Sequence, residues 1–213
     1  MRLTIVLGAC LMVSGCMMFS SVEGTPPVTR EAPRDISAWT ESAEAAKGFI
    51  SISEYLDSGL AQEVADKILT LDQRPEVARI SLLINSLGGE AVAFRVIHNA
   101  LRMTEKPVDV VNIGNCYSAA CAVFASGTGV RYAYANTHFM VHRPQMPYGT
   151  PREIKDMLDF EVQAYESALR RRGHLPAQWF PLTDKERFFT AQQALEYRFI
   201  DRIIEGLPPA PAP

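Results

Sequence analysis

The chain has 213 residues, with 21 Lys and Arg against 24 Asp and Glu, a formal net charge of −3, and 47% hydrophobic residues. That length suits one domain with a sizeable core, and no internal repeat suggests more. The near balance of charge, with no basic run, excludes the phosphate-neutralising surface that nucleic-acid binding requires.

Met1-Arg2 is a minimal positive start, and residues 3–15 are apolar but too short to span a bilayer comfortably, so residues 1–15 read as a signal peptide. Val13-Ser14-Gly15-Cys16 has the apolar, small, small, Cys order of a bacterial lipobox. It predicts cleavage before Cys16 and attachment of diacylglycerol to its thiol; the alternatives are an uncleaved anchor or ordinary secretion. Leu7-Gly8-Ala9-Cys10 is a poorer copy, with too little apolar chain ahead of it. Met17 stands where an Asp would favour inner-membrane retention in enteric bacteria, so the expected address is the periplasmic side of the envelope, anchored to the outer membrane. Residues 16–40, rich in Ser, Thr, Pro and charge without an apolar period, read as a tether. The domain is expected over 41–206, followed by a Pro/Ala tail at 207–213.

Within the domain, Phe49-Ile50-Ser51-Ile52-Ser53 alternates as a half-buried strand over 48–53. Leu60, Val64, Ile68 and Leu71 then recur at helical spacing, and residues 80–84 form a second strand running into Asn85-Ser86-Leu87-Gly88-Gly89. Ala91, Phe94, Ile97 and Leu101 mark a second helix, residues 108–113 a third strand, and a third helix begins at Ser118. Phe139-Met140-Val141-His142-Arg143-Pro144 is a short apolar strand ending in a histidine. Thr150-Pro151 suits a helix start, and Ile154, Met157, Leu158, Val162, Tyr165 and Leu169 form one stripe that ends at Arg170-Arg171-Arg172, where the dipole favours cations. Strands alternating with helices imply a largely parallel α/β sheet, which periodicity leaves open between a doubly wound arrangement and a spiral.

The segment Gly114-Asn115-Cys116-Tyr117-Ser118-Ala119-Ala120-Cys121 places a hydroxyl where a buried strand turns into an apolar helix. A serine there needs a base and backbone N–H groups that hold an oxyanion. His142 offers the first, and the Gly88-Gly89 pair, lacking Cβ atoms, lets main-chain amides approach a substrate. Taken singly, such a serine is usually a helix cap and such a histidine a structural residue. The lipase-type elbow lacks its glycines two before and two after Ser118, and a Ser–Lys dyad is disfavoured because no lysine lies between Lys106 and Lys155. No Cys/His cluster has metal-ligand spacing and no phosphate-cradling loop is present, so no cofactor is expected.

Cys10 leaves with the leader and Cys16 takes the lipid, so Cys116 and Cys121 remain. In an oxidising compartment they could bridge, although residues five apart in a regular helix have Cα atoms roughly 8–9 Å apart, beyond disulfide reach. A bridge therefore requires Cys116 to precede the helix; two buried thiols are the equal alternative, and a cysteine nucleophile paired with His142 a more remote one.

Taken in order, these segments resemble the Clp protease proteolytic subunit family of self-compartmentalised serine peptidases, over about residues 48–204. Asn85-Ser86-Leu87-Gly88-Gly89 is similar to the family's Asn-Ser-Pro-Gly-Gly oxyanion loop, with Leu87 for proline; Ser118 falls on the nucleophile and His142 on the general base. Thr183-Asp184-Lys185-Glu186-Arg187-Phe188-Phe189-Thr190-Ala191 resembles the segment of the third triad member, with Glu186 where the family has aspartate and Asp184 in reserve. Cysteines bracketing the serine are closest to predicted periplasmic Clp-like proteins.

The resemblance implies a single-domain ClpP/crotonase-like spiral of ββα units, an oxyanion hole from the Gly89 and Ala119 amides, and a homo-oligomer in which the 154–169 helix meets the opposite ring. Combined with the leader, it implies an ATP-independent serine endopeptidase of peptides or unfolded polypeptides, membrane-tethered through Cys16 and without an ATP-driven unfoldase. The alternative is a catalytically silent peptide-binding or scaffold protein of the envelope, for which Tyr117, beside the nucleophile where the family has a small residue, is the main argument.

Overall fold

The computed structural model describes Ala45 and residues 47–145 and 151–205, without the side chains of residues 151–154, 156 and 157. The leader, Cys10, Cys16, the tether, the tail and Thr150 lie outside the described residues, as do the side chains of Ile154 and Met157.

One sheet runs through the domain. Its strands are β1 (Phe49–Ile52), β2 (Ile80–Ser86), β3 (Val108–Tyr117), β4 (Arg131–Tyr134), β5 (His138–Val141), β6 (Arg187–Thr190) and β7 (Arg202–Ile204). The helices are α1 (Ser58–Asp72), α2 (Ala91–Met103), α3 (Ala119–Ser126), α4 (Pro151–Arg170) and α5 (Ala191–Glu196). Among the described residues all strand pairings are parallel except β5 with β6. Parallel pairing demands crossovers, and α1 and α2 supply the first two. The α/β single domain expected from the strand–helix alternation is thus present, and it is consistent with the spiral of ββα turns.

The sheet forks at β3. Val110–Asn112 pair with β4, whereas Asn115–Tyr117 pair with β5. Asn112, fully buried, spans the fork: its Nδ2 donates to His138 O (2.9 Å) and its Oδ1 accepts from Gly114 N (3.0 Å). A polar side chain at a core position would be costly unless bonded, and here it replaces ladder bonds that the diverging strands no longer make. The fork also carries β3 four residues past the 108–113 expected from periodicity. The short strands β4, β6 and β7 were not marked by sequence pattern, because three or four residues are too few for alternation to show.

Helix α3 is buried along its whole length; Phe124 at its far end meets Phe139 and Phe199 with ring centroids 5.2 and 5.6 Å apart, and those two rings in turn meet Phe189 at 5.2 and 5.5 Å. Helix α4 covers α3 with Tyr165, Ala168 and Leu169, all buried. Leu158 and Val162 of the expected stripe are only half-buried, and Glu161 takes an inner place instead. It is tolerated there because Arg95 of α2 pairs with it at 3.1 Å; burial nevertheless raises the Glu161 pKa.

The C-terminal strand is held by Arg131, whose side chain is 4% exposed. Its Nε and Nη2 donate to the Asp201 carboxylate at 3.2 and 2.9 Å, and Nη2 also reaches Arg198 O. Burial by itself would raise the Asp201 pKa, but the bonds from the Arg131 side chain and backbone, with the charges of Arg131 and Arg172, outweigh it and hold it below the ordinary value. Asp201→Ala removes the exposed partner of a buried guanidinium that keeps its bond to Arg198 O, and is expected to cost about 1–3 kcal/mol in urea unfolding at neutral pH. A carboxyl with a depressed folded pKa stabilises above its unfolded value and loses that contribution as pH falls through the folded one. The gap between parent and variant should therefore narrow as pH falls below 3.8, the ordinary Asp value.

Candidate active site

Ser118 sits between β3 and α3 with φ 50 and ψ −125, a left-handed conformation that costs a non-glycine residue on the order of 1–3 kcal/mol. The surroundings hold it there. Its N–H donates to Met140 O of β5 at 2.9 Å, and its carbonyl accepts from Cys121 N (2.9 Å), Ala122 N (3.4 Å) and the Tyr165 hydroxyl (2.5 Å). The helix begins one residue after Ser118, whose side chain caps nothing and faces His142 instead. This is a strand–serine–helix elbow built without flanking glycines: Cys116 and Ala120, both fully buried, occupy the positions where such elbows carry glycine.

His142 follows β5 directly, and its Nε2 lies 2.8 Å from Ser118 Oγ. The same strand thus anchors the serine backbone through Met140 and carries the histidine two residues on. That distance is the one a base needs to take the hydroxyl proton.

The Gly pair completes the arrangement. Leu56 N donates to Gly88 O and Glu90 N donates to Leu56 O, so Gly88–Glu90 is clamped as one rung of a parallel ladder. A Cβ on Gly89 would run into the Leu56 carbonyl, and one on Gly88, at φ 96, would lie 2.6 Å from Tyr117 O and 2.8 Å from Ser118 Cβ. Among the described residues neither the Gly89 nor the Ala119 amide has an acceptor. Two free N–H groups beside a serine–histidine pair are the components of an oxyanion hole. They share a cleft of about 170 Å³ with Ser118, His142, Pro144, Gln145 and Tyr165.

Glu186 is exposed, and among the described residues no hydrogen bond or ion pair engages its carboxylate or that of Asp184. Its register is nevertheless informative. β5 and β6 pair antiparallel as far as Val141 opposite Arg187, so His142 and Glu186 are the residues that leave the two strands at the same end of the ladder, and Arg143 N donates to Thr183 O at 2.8 Å beyond it.

Cys116 lies in β3, ahead of the helix, as a bridge would require, but both cysteines are free buried thiols. Burial, and then a thiol–thiol hydrogen bond with Cys121 and that group's charge, push Cys116 well above its ordinary range. A protonated, enclosed thiol is a poor nucleophile, and His142 is bonded to Ser118. Tyr117 does not line the cleft; its ring stands edge-on to Phe188, with centroids 5.5 Å apart. The residue missed from sequence is Tyr165, placed there only on an apolar stripe. Its sole signal was a hydroxyl in an otherwise purely apolar row.

No three described His, Cys, Asp or Glu side chains cluster as metal ligands. The family model of the Clp protease matches residues 37–206. The chain is 30% identical over 165 residues to the ATP-dependent Clp protease proteolytic subunit 2 of Thermobifida fusca, covering 75% of this chain and 81% of that protein. It is 32% identical over 158 residues to subunit 2 of Tropheryma whipplei, covering 71% and 88%. With subunit 3 of Streptomyces coelicolor it shares 28% over 191 residues, covering 87% and 86%.

The tight approach at Gly88 predicts that Gly88→Ala, with strain at φ 96 and a clash against Ser118, lowers stability by about 1–3 kcal/mol. Thermal unfolding followed by circular dichroism would measure it.

Proposed function

We propose that this chain, which belongs to the Clp protease family, is a serine endopeptidase of the cell envelope that works without ATP. The observation that carries the reading is the 2.8 Å contact of His142 Nε2 with Ser118 Oγ beside the free amides of Gly89 and Ala119. In this reading Ser118 attacks the scissile carbonyl as His142 takes its proton, and the two amides receive the developing oxyanion, each donor being worth about 3–4 kcal/mol. His142 then protonates the leaving amine, and a water activated by the same imidazole releases the acyl group. Glu186, one methylene longer than aspartate, swings from its exposed position just before β6 to accept from the second imidazole nitrogen.

Ser118→Ala and His142→Ala are expected to abolish both peptide cleavage and fluorophosphonate labelling while leaving the fold intact, and Glu186→Ala to retain a small fraction. A His142→Ala variant that cleaves as fast as the parent would overturn the assignment. The silent, peptide-binding alternative predicts no labelling of the parent at all. Tyr117, the sequence argument for it, packs edge-on against Phe188 with ring centroids 5.5 Å apart.

Relatives carry the name of ATP-dependent proteolytic subunits, and the difference proposed here follows from the address. A chain exported behind residues 1–15 and tethered through Cys16 works where ATP is essentially absent, so no unfoldase threads folded substrates into it. The substrates are then peptides and unfolded envelope proteins, bound extended alongside Gly88-Gly89 by strand addition. Protomers close into a homo-oligomer through complementary faces, as cyclic symmetry requires. The purified protein should degrade an unfolded model chain without nucleotide and spare the same chain when folded. ATP-stimulated digestion of the folded form, or recovery of the uncleaved Cys16 form from the cytoplasm, would refute this.

A further inference from the structure

We propose that Tyr165 is a positioning residue for the oxyanion hole: its hydroxyl holds the Ser118 carbonyl so that the Ala119 N–H of the same peptide is aimed into the cleft. The inference rests on the serine-peptidase reading and deepens it.

The geometry is specific. A trans peptide is planar, with its C=O and N–H pointing in opposite directions, so a donor that grips the oxygen from behind orients the N–H in front. Tyr165 Oη is 2.5 Å from Ser118 O, and Ala119, Ser118 and Tyr165 all line the cleft that holds His142. Two helical amides also reach that oxygen, Cys121 N and Ala122 N, the second at a long 3.4 Å. They run along α3 and are intrinsic to its first turn, whereas the phenol comes from α4, 47 residues away, and acts as an independent brace. Hydrogen bonds that share a peptide polarise one another, so drawing electron density toward the carbonyl oxygen makes the Ala119 N–H a better donor.

The side chain is built for that one contact. Tyr165 is 2% exposed and its ring lies edge-on to Phe94 with centroids 5.9 Å apart, leaving the hydroxyl a single direction. Burial, with the Cys121 and Cys116 thiols adding, pushes the phenol well above its ordinary range, so it stays a neutral donor throughout the working pH range. An apolar residue of the same stripe would pack α4 onto α3 equally well but would leave the Ser118 carbonyl without its cross-chain partner.

Tyr165→Phe keeps the ring and removes only the hydroxyl. The kcat for a fluorogenic peptide is expected to fall roughly tenfold or more with KM within about twofold, since the effect is confined to the charged intermediate. Affinity for a peptide boronate, which forms an anionic tetrahedral adduct on Ser118, should fall by a similar factor, while affinity for the unreactive product peptide stays unchanged. Loss of both affinities together, or turnover equal to the parent, would overturn the proposal. Should Tyr165→Phe fail to fold, 3-fluorotyrosine placed at 165 alone decides: as a stronger donor it should raise kcat, and an unchanged or lower kcat refutes the brace. If the parent itself is not labelled by fluorophosphonate at Ser118, the peptidase reading fails and this inference with it. A labelled parent with an equally reactive Tyr165→Phe defeats this inference alone.

Discussion

Strand β3 has to pair with more neighbours than one straight strand can serve. Its first half lies between β2 and β4, and its second half turns to β5, with Asn112 making the bonds that the diverging ladders abandon. Because β3 bends at this fork, its last residues emerge beside the start of a different branch of the sheet. There the β5 backbone captures Ser118 N, and the residue after β5 is His142. A straight β3 paired along its length with β4 would leave serine and histidine on separate parts of the surface.

The same constraint makes the turn at Ser118 abrupt. A strand committed to β5 and a wholly buried helix are joined here by one residue, Ser118, which makes the reversal at φ 50. The unfavourable conformation persists because four hydrogen bonds over-determine it and because α3 is sealed beneath α4 and against the phenylalanine cluster. Rigidity at this point has a chemical consequence. Oxyanion donors stabilise charge most when they need no reorganisation at the moment of reaction, and under the proposed mechanism the Gly89 amide, whose peptide oxygen is held by Leu56 N, and the Ala119 amide, locked behind Ser118, would serve without moving.

Third-partner chemistry is looser by comparison. His142 and Ser118 are joined within the described structure, whereas Glu186, the third partner of the proposed mechanism, is exposed just outside the β5–β6 ladder. A carboxylate in water stabilises an imidazolium less than one enclosed with it, which agrees with a site whose fixed elements are the backbone amides and the serine–histidine pair.

The sequence by itself determined the parallel α/β order, the strand-to-helix position of Ser118, the Gly pair and the histidine-ending strand. These are local matters: alternation of period two, helical spacing and the absence of a Cβ are properties of adjacent residues and survive in one dimension. Only the tertiary structure decided that β3 forks, that Ser118 takes a positive φ without neighbouring glycines, that Glu161 is buried against Arg95, and that Tyr165 reaches the Ser118 carbonyl. Each of these depends on two segments 21 to 66 residues apart meeting at hydrogen-bond distance, and periodicity along the chain carries no record of which distant group will be there to satisfy a buried donor or acceptor.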